Sequence, residues 1–543
     1  MRARPTLVPA APRVQPVRIA AADLGSNSFH LLVVQAHVDG SFDTLVREKD
    51  MLRLGDVVAR TGRITEAAAD RAVDCLRRFR QIAQNLDVDE LVAYGTAALR
   101  EADGSAELID RIRAEVGIQV RVISGRDEAR LVFSAVRSSI VIEPGPAVCL
   151  DLGGGSLEVT VGDSGGLLWS DSVKLGVARL TAELVRNDPL EPDDVKRVRK
   201  RVEQVLGPIA AEIADLTPRM LVGTSGTLCD LARMAALRAG GDPRALGSSV
   251  NQLTVSRRLL EEVEEQLLGL PSPRRAALAG LESRRADLIP AGAILLLTAM
   301  RLLGQEELTV GEWALREGMV LEAIGRHDPA DWNDDPRAMR QSSVLSLCRR
   351  CSWDEAHGTQ VARLAVDLFD QTRRVHRLGD VDRELLHHAA LLHDIGEHVS
   401  VESHHKHTAY LVQHGRLRGF TPDEVAMLAS IGRFHRRGEP KQSFEPYASL
   451  EADDQARVAV LVGLLRLADG LDRGHNGVVD AVDVEIAPGA VTLICEASGD
   501  AELERWGLKR KADLLERLWD RRIDCVLHEV HHRTTPSGLA GTA

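Results

Sequence analysis

Two rhythms of apolar and polar positions run through the first 325 or so residues. Short apolar or alternating runs read as strands, and longer runs with apolar residues every three or four positions read as helices. Residues 17–36, "VRIAAADLGSNSFHLLVVQA", predict two strands around a polar turn. Residues 64–86 predict an amphipathic helix with Thr65 as N-cap and Glu66 beside it. "ELVAYGTAALREA" follows as strand, turn and helix start, then "IQVRVIS" as a strand and "GRDEARLVFSAVRSS" as a helix. At 147 the pattern restarts with a strand, a glycine-rich turn, a second strand, a third near 168–174, and helices. "RMLVGTSGTLCDLARMAAL" (219–237) reads as strand, glycine loop and helix. This βα alternation predicts a pair of α/β domains. The Asp-Leu-Gly of 23–25 returns at 151–153, which points to one plan used twice.

"RHDPADWNDDPRAM" (326–339) has the polar, Pro- and Asp-rich character of a linker. Helical periodicity then dominates to about 480, with clustered histidines. "VVDAVDVEIAPGAVTLICEA" and "AELERWGLKRKADLLERLWD" close the chain as strands and helix. The expected organisation is a disordered tail over 1–17, α/β domains over 18–140 and 141–325, a linker over 326–339, a helical domain over 340–478, a small α+β domain over 479–532 and a disordered tail over 533–543. "AGAILLLTAMRLLG" (291–304) is too short to span a bilayer and reads as a core helix, so no transmembrane segment is expected.

Composition narrows the function. With 543 residues, 44% hydrophobic and 27% charged, the chain can build several cores. Aromatics at 3% leave little for stacking bases, and a net charge of −12 is no nucleic-acid footprint. An anionic ligand then needs a local basic cleft. Seven scattered cysteines fit a reducing cytoplasm better than a disulfide framework, and the lone "CRRC" (Cys348, Cys351) reads as reduced thiols. The N-terminal stretch lacks the apolar run of a signal peptide.

The repeated turn carries the chemistry. Glycine lets a backbone turn sharply and approach a ligand, and consecutive N–H groups in such a turn form an anion nest. Gly25, Ser26, Asn27 and Ser28 offer one nest, and Gly153, Gly154, Gly155 and Ser156 a second. A single such turn reads as a plain hairpin; two of matching layout read as a paired phosphate site. Gly223, Thr224 and Ser225 in "GTSGT", after a strand and before a helix, offer a third. Asp23 and Asp151 each end a strand beside a nest. A carboxylate beside phosphate calls for a cation between them, and Mg²⁺ takes one or two carboxylates plus phosphate oxygens and waters. Glu158 reaches the same cleft if its strand folds back.

The sequence resembles the Ppx/GppA exopolyphosphatase and guanosine-pentaphosphate phosphohydrolase family. "DLGSNSFHLLV" (23–33), "GTAALREA" (95–102), "VISGRDEARLVF" (122–133) and "LDLGGGSLEVTVG" (150–162) carry the resemblance, and "VGTSGT", "RRADLIPAGAIL" and "WALREGMV" extend it to about 325. It implies an α/β actin-like (ASKHA) pair of tandem domains. It also implies a homodimer, a general-base role for Glu128, metal or water-orienting roles for Asp151 and Glu158, and a phosphate contact from Arg100. Without it, Glu128 reads as a helix-surface glutamate and Arg100 as one half of a salt bridge. The implied reaction releases orthophosphate from inorganic polyphosphate. The close rival removes the 5′-terminal phosphate of guanosine pentaphosphate, because both substrates present a terminal phosphoanhydride. Retained acids count against a sensor without turnover, and the Glu128 motif against a kinase of the same superfold.

A second constellation lies on the later helices: "SWDEAHGTQVARL", "HHAALLHDIGEHVSVESHHKH", "ASIGRFHRRGEP" and "LLRLADGLDR". It resembles the HD phosphohydrolase pattern, carried by His357, His393, Asp394 and Asp469, with His404 and His435 similar to the extra ligands of two-metal members. This implies an all-α HD domain holding Mn, Fe, Zn or Mg, since imidazole and carboxylate ligands suit all four. A relic without metal and a second hydrolytic site are both open readings.

Overall fold

In the computed structural model the described residues are 17–37, 42–143, 145–327 and 336–529. The expected tails, apart from Val17, and the middle of the expected linker lie outside them. Helices run to His327 and start again at Pro336 at the two ends of that linker. The chain divides into two compact units between Ser342 and Ser343.

The first unit holds two sheets. One is built from β1 (Val17–Leu24), β2 (Phe29–Ala36), β3 (Phe42–Asp50), β4 (Glu90–Gly95) and β5 (Val120–Val122), in the order β3-β2-β1-β4-β5. The other contains β6 (Ala147–Leu152), β7 (Leu157–Asp163), β8 (Gly166–Val173), β9 (Met220–Thr224), β10 (Thr254–Ser256) and β11 (Glu307–Val310), in the order β10-β11-β9-β6-β7-β8. In both, the first three strands form an antiparallel meander and the next joins the opening strand in parallel. The duplicated Asp-Leu-Gly turn is therefore the trace of a duplicated sheet, with β10 as an added edge strand.

Burial explains the runs. The opening strands are covered on both faces, so they read as continuous apolar stretches rather than as alternation. Alanines and leucines of β1, β2 and β4 pack on one side under the helices Glu66–Asn85 and Ser105–Val116. On the other side Ile19, Val34 and Tyr94 share a core with Leu131, Val136, Met319 and Val320. Those last residues belong to the helices Gly125–Arg137 and Leu315–His327, so the chain returns to the first sheet after completing the second. The helix Ile289–Leu302 is buried along almost its whole length under the second sheet, as its composition requires.

The second unit is a helical bundle with a terminal sheet. Its helices Glu355–His376, Asp380–Leu392, Pro422–Phe434 and Ala452–Gly470 bury one continuous apolar core. β12 (Val479–Ala487) and β13 (Ala490–Ala497) form a hairpin, and β14 (Arg522–Glu529) pairs with β13 in parallel after two short helices. No described helix is long and apolar enough to cross a membrane.

Candidate functional site

Strand register places the acids. Directly opposed residues of an antiparallel pair project from the same face of a sheet. Asp23 stands opposite His30, and His30 opposite Lys49. In the second sheet Asp151 stands opposite Glu158, and Glu158 opposite Ser172. The seven-residue spacing that separates Asp151 from Glu158 in sequence thus brings the two carboxylates to one cleft. Ser172 donates its hydroxyl to Glu158 Oε1 at 2.8 Å, and Thr224 donates to Asp151 Oδ1 at 2.8 Å.

Both glycine turns line one cavity of about 180 Å³, together with Asp23, Glu128, Asp151, Glu158, Ser225 and Arg316. The turns touch. A Cβ on Gly155 would stand 2.8 Å from Ser26 Oγ and 3.2 Å from Ala97 Cβ. The glycine there serves close approach, not a left-handed backbone. Ser225, by contrast, has φ of +98° and caps the helix Gly226–Arg238 through Leu228 N. A non-glycine residue held in that region stores strain of the kind that accumulates at ligand sites.

Glu128 sits in the first turn of the helix Gly125–Arg137, which a Ser124–Asp127 capping box opens. It is 7% exposed and accepts a bond from Arg100 Nη1 at 3.1 Å. Arg100 also donates to the Ile123 carbonyl at 2.8 Å, so it stands behind Glu128 and is not among the cavity-lining residues. Gly223 and Thr224 likewise lie behind the wall: Gly223 is packed against Leu228 and Leu308, and Thr224 holds Asp151. Ser225, Gly226 and Thr227 are the part of that loop that reaches the cavity.

Four basic or imidazole groups of the lining carried no role in the sequence: His30, Lys49, Arg285 and Arg316. They come from both ends of the first unit. His30, Arg285 and Arg316 do fall in stretches that carried the family resemblance, and that was the one available signal. The acids are buried and repel one another. Burial pushes Asp23 up to about 7, and burial with the Asp151 charge does the same to Glu158. Burial and the neighbouring Glu158 charge hold Glu128 well above the ordinary carboxylate range, and burial raises Asp151.

This donor set fits a hard divalent cation. Asp23, Asp151 and Glu158 offer oxygens only, and a bound cation relieves the repulsion that raises them. Among the described residues their oxygens form no three-donor group within 4.8 Å. A measurable consequence follows. A carboxyl raised in the folded state favours folding below its unfolded pKa of about 4 and loses that contribution as pH rises through about 7. Metal-free protein should therefore lose stability between about pH 4 and 7. Mg²⁺ should restore more at pH 8 than at pH 5.5, at about 2–4 °C per kcal/mol in a thermal scan. An equal Mg²⁺ shift at both pH values would rule out binding through these acids.

A second cluster lies in the helical unit. Asp394 Oδ1 is 3.1 Å from His404 Nε2 and 3.3 Å from His435 Nε2, which are 3.3 Å from each other. Its Oδ2 is 3.4 Å from His393 Nε2 and 3.7 Å from His357 Nε2. Each imidazole donates its other nitrogen to an oxygen: His393 to the Ala390 carbonyl, His404 to Val401, His435 to Gly432, and His357 to the Asp472 carboxylate at 2.8 Å. That pattern fixes Nδ1–H on all four rings and turns their four Nε2 atoms toward one carboxylate, which raises His393 to about 9 and also raises His404 against the effect of burial. The Nε2 atoms of His357 and His393 and Asp394 Oδ1 are buried with no hydrogen-bond partner. A divalent cation displaces the protons shared among these Nε2 atoms and the carboxylate, so four imidazoles and one carboxylate fit metal ions. Two three-donor groups share Asp394: His357–His393–Asp394 and Asp394–His404–His435. Asp469 belongs to neither and pairs with Lys511 Nζ, which holds its carboxyl down at about 2 against the effect of burial. His475 stacks on His357 at 3.6 Å and lines a small pocket of about 80 Å³ with Trp353, His398 and Asp394.

Known proteins match both units. The model of the Ppx/GppA phosphatase family matches residues 33–327, and that of Ppx/GppA phosphatase, domain III, matches residues 339–517. A guanosine-5′-triphosphate,3′-diphosphate pyrophosphatase of Aeromonas hydrophila is 29% identical over 476 residues, 87% of this chain and 91% of that protein. Exopolyphosphatase 1 of Mycobacterium leprae is 34% identical over 332 residues, 60% of this chain and 94% of that protein. Among solved structures, an exopolyphosphatase from Cytophaga hutchinsonii superposes with a TM-score of 0.53 at 33% identity, covering 56% of this chain and 98% of that one. Sequence, duplicated sheet and shared cavity agree: the chain belongs to the Ppx/GppA phosphatase family.

Proposed function

We propose that the first unit hydrolyses the terminal phosphoanhydride of inorganic polyphosphate, releasing orthophosphate with Mg²⁺ as cofactor. The observation that carries this reading is the buried Glu128 on a cavity shared by two glycine turns and three further acids. The turns, the N-terminus of the helix Gly226–Arg238, and Arg316 bind the terminal phosphoryl group. Glu128 accepts a proton from the attacking water. The water oxygen bonds to the terminal phosphorus as the bond to the bridging oxygen breaks, and the electron pair leaves on the shortened chain. Asp23, Asp151 and Glu158 would hold Mg²⁺, which supplies charge neutralisation for the phosphoryl oxygens.

The second reading, removal of the 5′-terminal phosphate of guanosine pentaphosphate, has an observation of its own. The Aeromonas relative aligns through both units, whereas the mycobacterial exopolyphosphatase covers 60% of the chain. The ratio of kcat/KM for long polyphosphate to that for guanosine pentaphosphate decides between them. We expect it to favour polyphosphate; a ratio well below one would make the protein chiefly a nucleotide phosphatase. The histidine centre is an HD-type site for two divalent cations, a second phosphohydrolase centre in the same chain. The protein acts in the cytoplasm as a homodimer.

A further inference from the structure

The two sheets repeat one plan, but their equivalent rows differ in chemistry. In the second sheet the row across the meander is Asp151, Glu158, Ser172; in the first it is Asp23, His30, Lys49. His30 thus occupies the position that holds Glu158 in the other half. It lies between two partners. Arg316 Nη1 is 2.7 Å from His30 Nδ1, and Ser28 Oγ is 2.5 Å from His30 Nε2.

The tautomer follows from donor arithmetic. A guanidinium has only donors, so Nδ1 must accept from Arg316 with its lone pair. The ring's single proton then resides on Nε2 and is donated to Ser28 Oγ. Burial, Arg316 and Lys49 all disfavour a second ring proton. With one lone pair occupied by His30, Ser28 keeps its own O–H free for another acceptor. Both Ser28 and His30 line the cavity.

We infer that His30 is a positioning residue: held in one tautomer by Arg316, it turns the Ser28 hydroxyl proton into the cavity as a donor to a phosphate oxygen. The inference rests on the phosphatase reading for its substrate but not for its geometry. The symmetry-related Glu158 cannot do this, since a carboxylate in its place would accept the Ser28 proton instead of supplying one.

The test compares wild type with Ser28→Ala, His30→Leu, His30→Gln and the Ser28→Ala/His30→Leu double variant, read as kcat/KM for polyphosphate. Ser28→Ala and His30→Leu should each lose about 10- to 100-fold, the span of a hydrogen bond to a charged group. The double variant should lose no more than either single. His30→Gln should recover most of the loss, because its amide can accept from Arg316 and donate to Ser28. Independent, multiplying losses would overturn the inference, as would a glutamine variant no better than leucine. Orthophosphate affinity of the same variants, measured by calorimetry, separates the two claims. If wild type shows no turnover, the phosphatase reading fails while the same affinity pattern still supports His30. Equal affinity across all variants would overturn the role of His30.

Discussion

Glu128→Gln is expected to lower kcat for orthophosphate release by about 10²–10⁴-fold, the usual contribution of a positioned general base, with little change in KM. The amide keeps the size of the side chain and can still meet Arg100, so the substitution removes basicity and leaves packing intact. The pH profile adds a second sign. Glu128 must be ionised to accept a proton, and burial with the Glu158 charge raises it well above the ordinary range. Activity should therefore climb with pH on an acid limb above the usual carboxylate value. The limb belongs to the Glu128–Glu158 pair, since the two protons are coupled. Arg100→Leu removes the guanidinium bonded to Glu128 and should move that limb to higher pH. A limb that stays in place in this variant would show that Glu128 does not set it.

The second large effect concerns the histidine centre. Wild-type protein loaded with Mn²⁺ should retain two ions per chain after desalting, and Asp394→Ala should retain almost none. A single carboxylate faces both three-donor groups, so its loss removes a ligand from each. Asp472→Ala is expected to act differently. Asp472 touches no metal donor atom except through the His357 ring, whose Nδ1–H it holds. Affinity should weaken by about 10–100-fold, with stoichiometry preserved. Full retention by Asp394→Ala, judged by elemental analysis, would contradict a shared-carboxylate centre.

Much of this was legible in the chain. The apolar runs of β1, β2, β6 and β7 and the glycine turns between them stood out because local pattern and local geometry coincide there. Glu158 could be placed in the cleft on the condition that its strand folds back, and the hairpin of β6 and β7 does set it opposite Asp151. His435 and His404 were likewise brought to Asp394, as the HD pattern implied. What escaped is long-range. Arg316 meets His30 across 286 residues of chain, and an arginine on a helix carries no mark of its partner. The HD pattern singles out Asp469 as a metal ligand without showing that Lys511 arrives from a later helix to pair with it, or that Asp472 secures His357. Sheet order escaped as well: β14 joins β13 in parallel only after two intervening helices, a connection set by tertiary packing. The helix Leu315–His327 packs on the first sheet for the same reason, its apolar face matching a core made mostly from residues before 150.

The central claim is that one cavity, that of the glycine turns, performs the hydrolysis. Orthophosphate release from long polyphosphate with Mg²⁺ tests it most directly, with wild type beside Glu128→Gln and the His393→Ala/Asp394→Ala double variant. Release should fall by about 10²–10⁴-fold in Glu128→Gln and survive in the double variant. Release that persists in Glu128→Gln and disappears in the double variant would place the chemistry at the histidine centre instead.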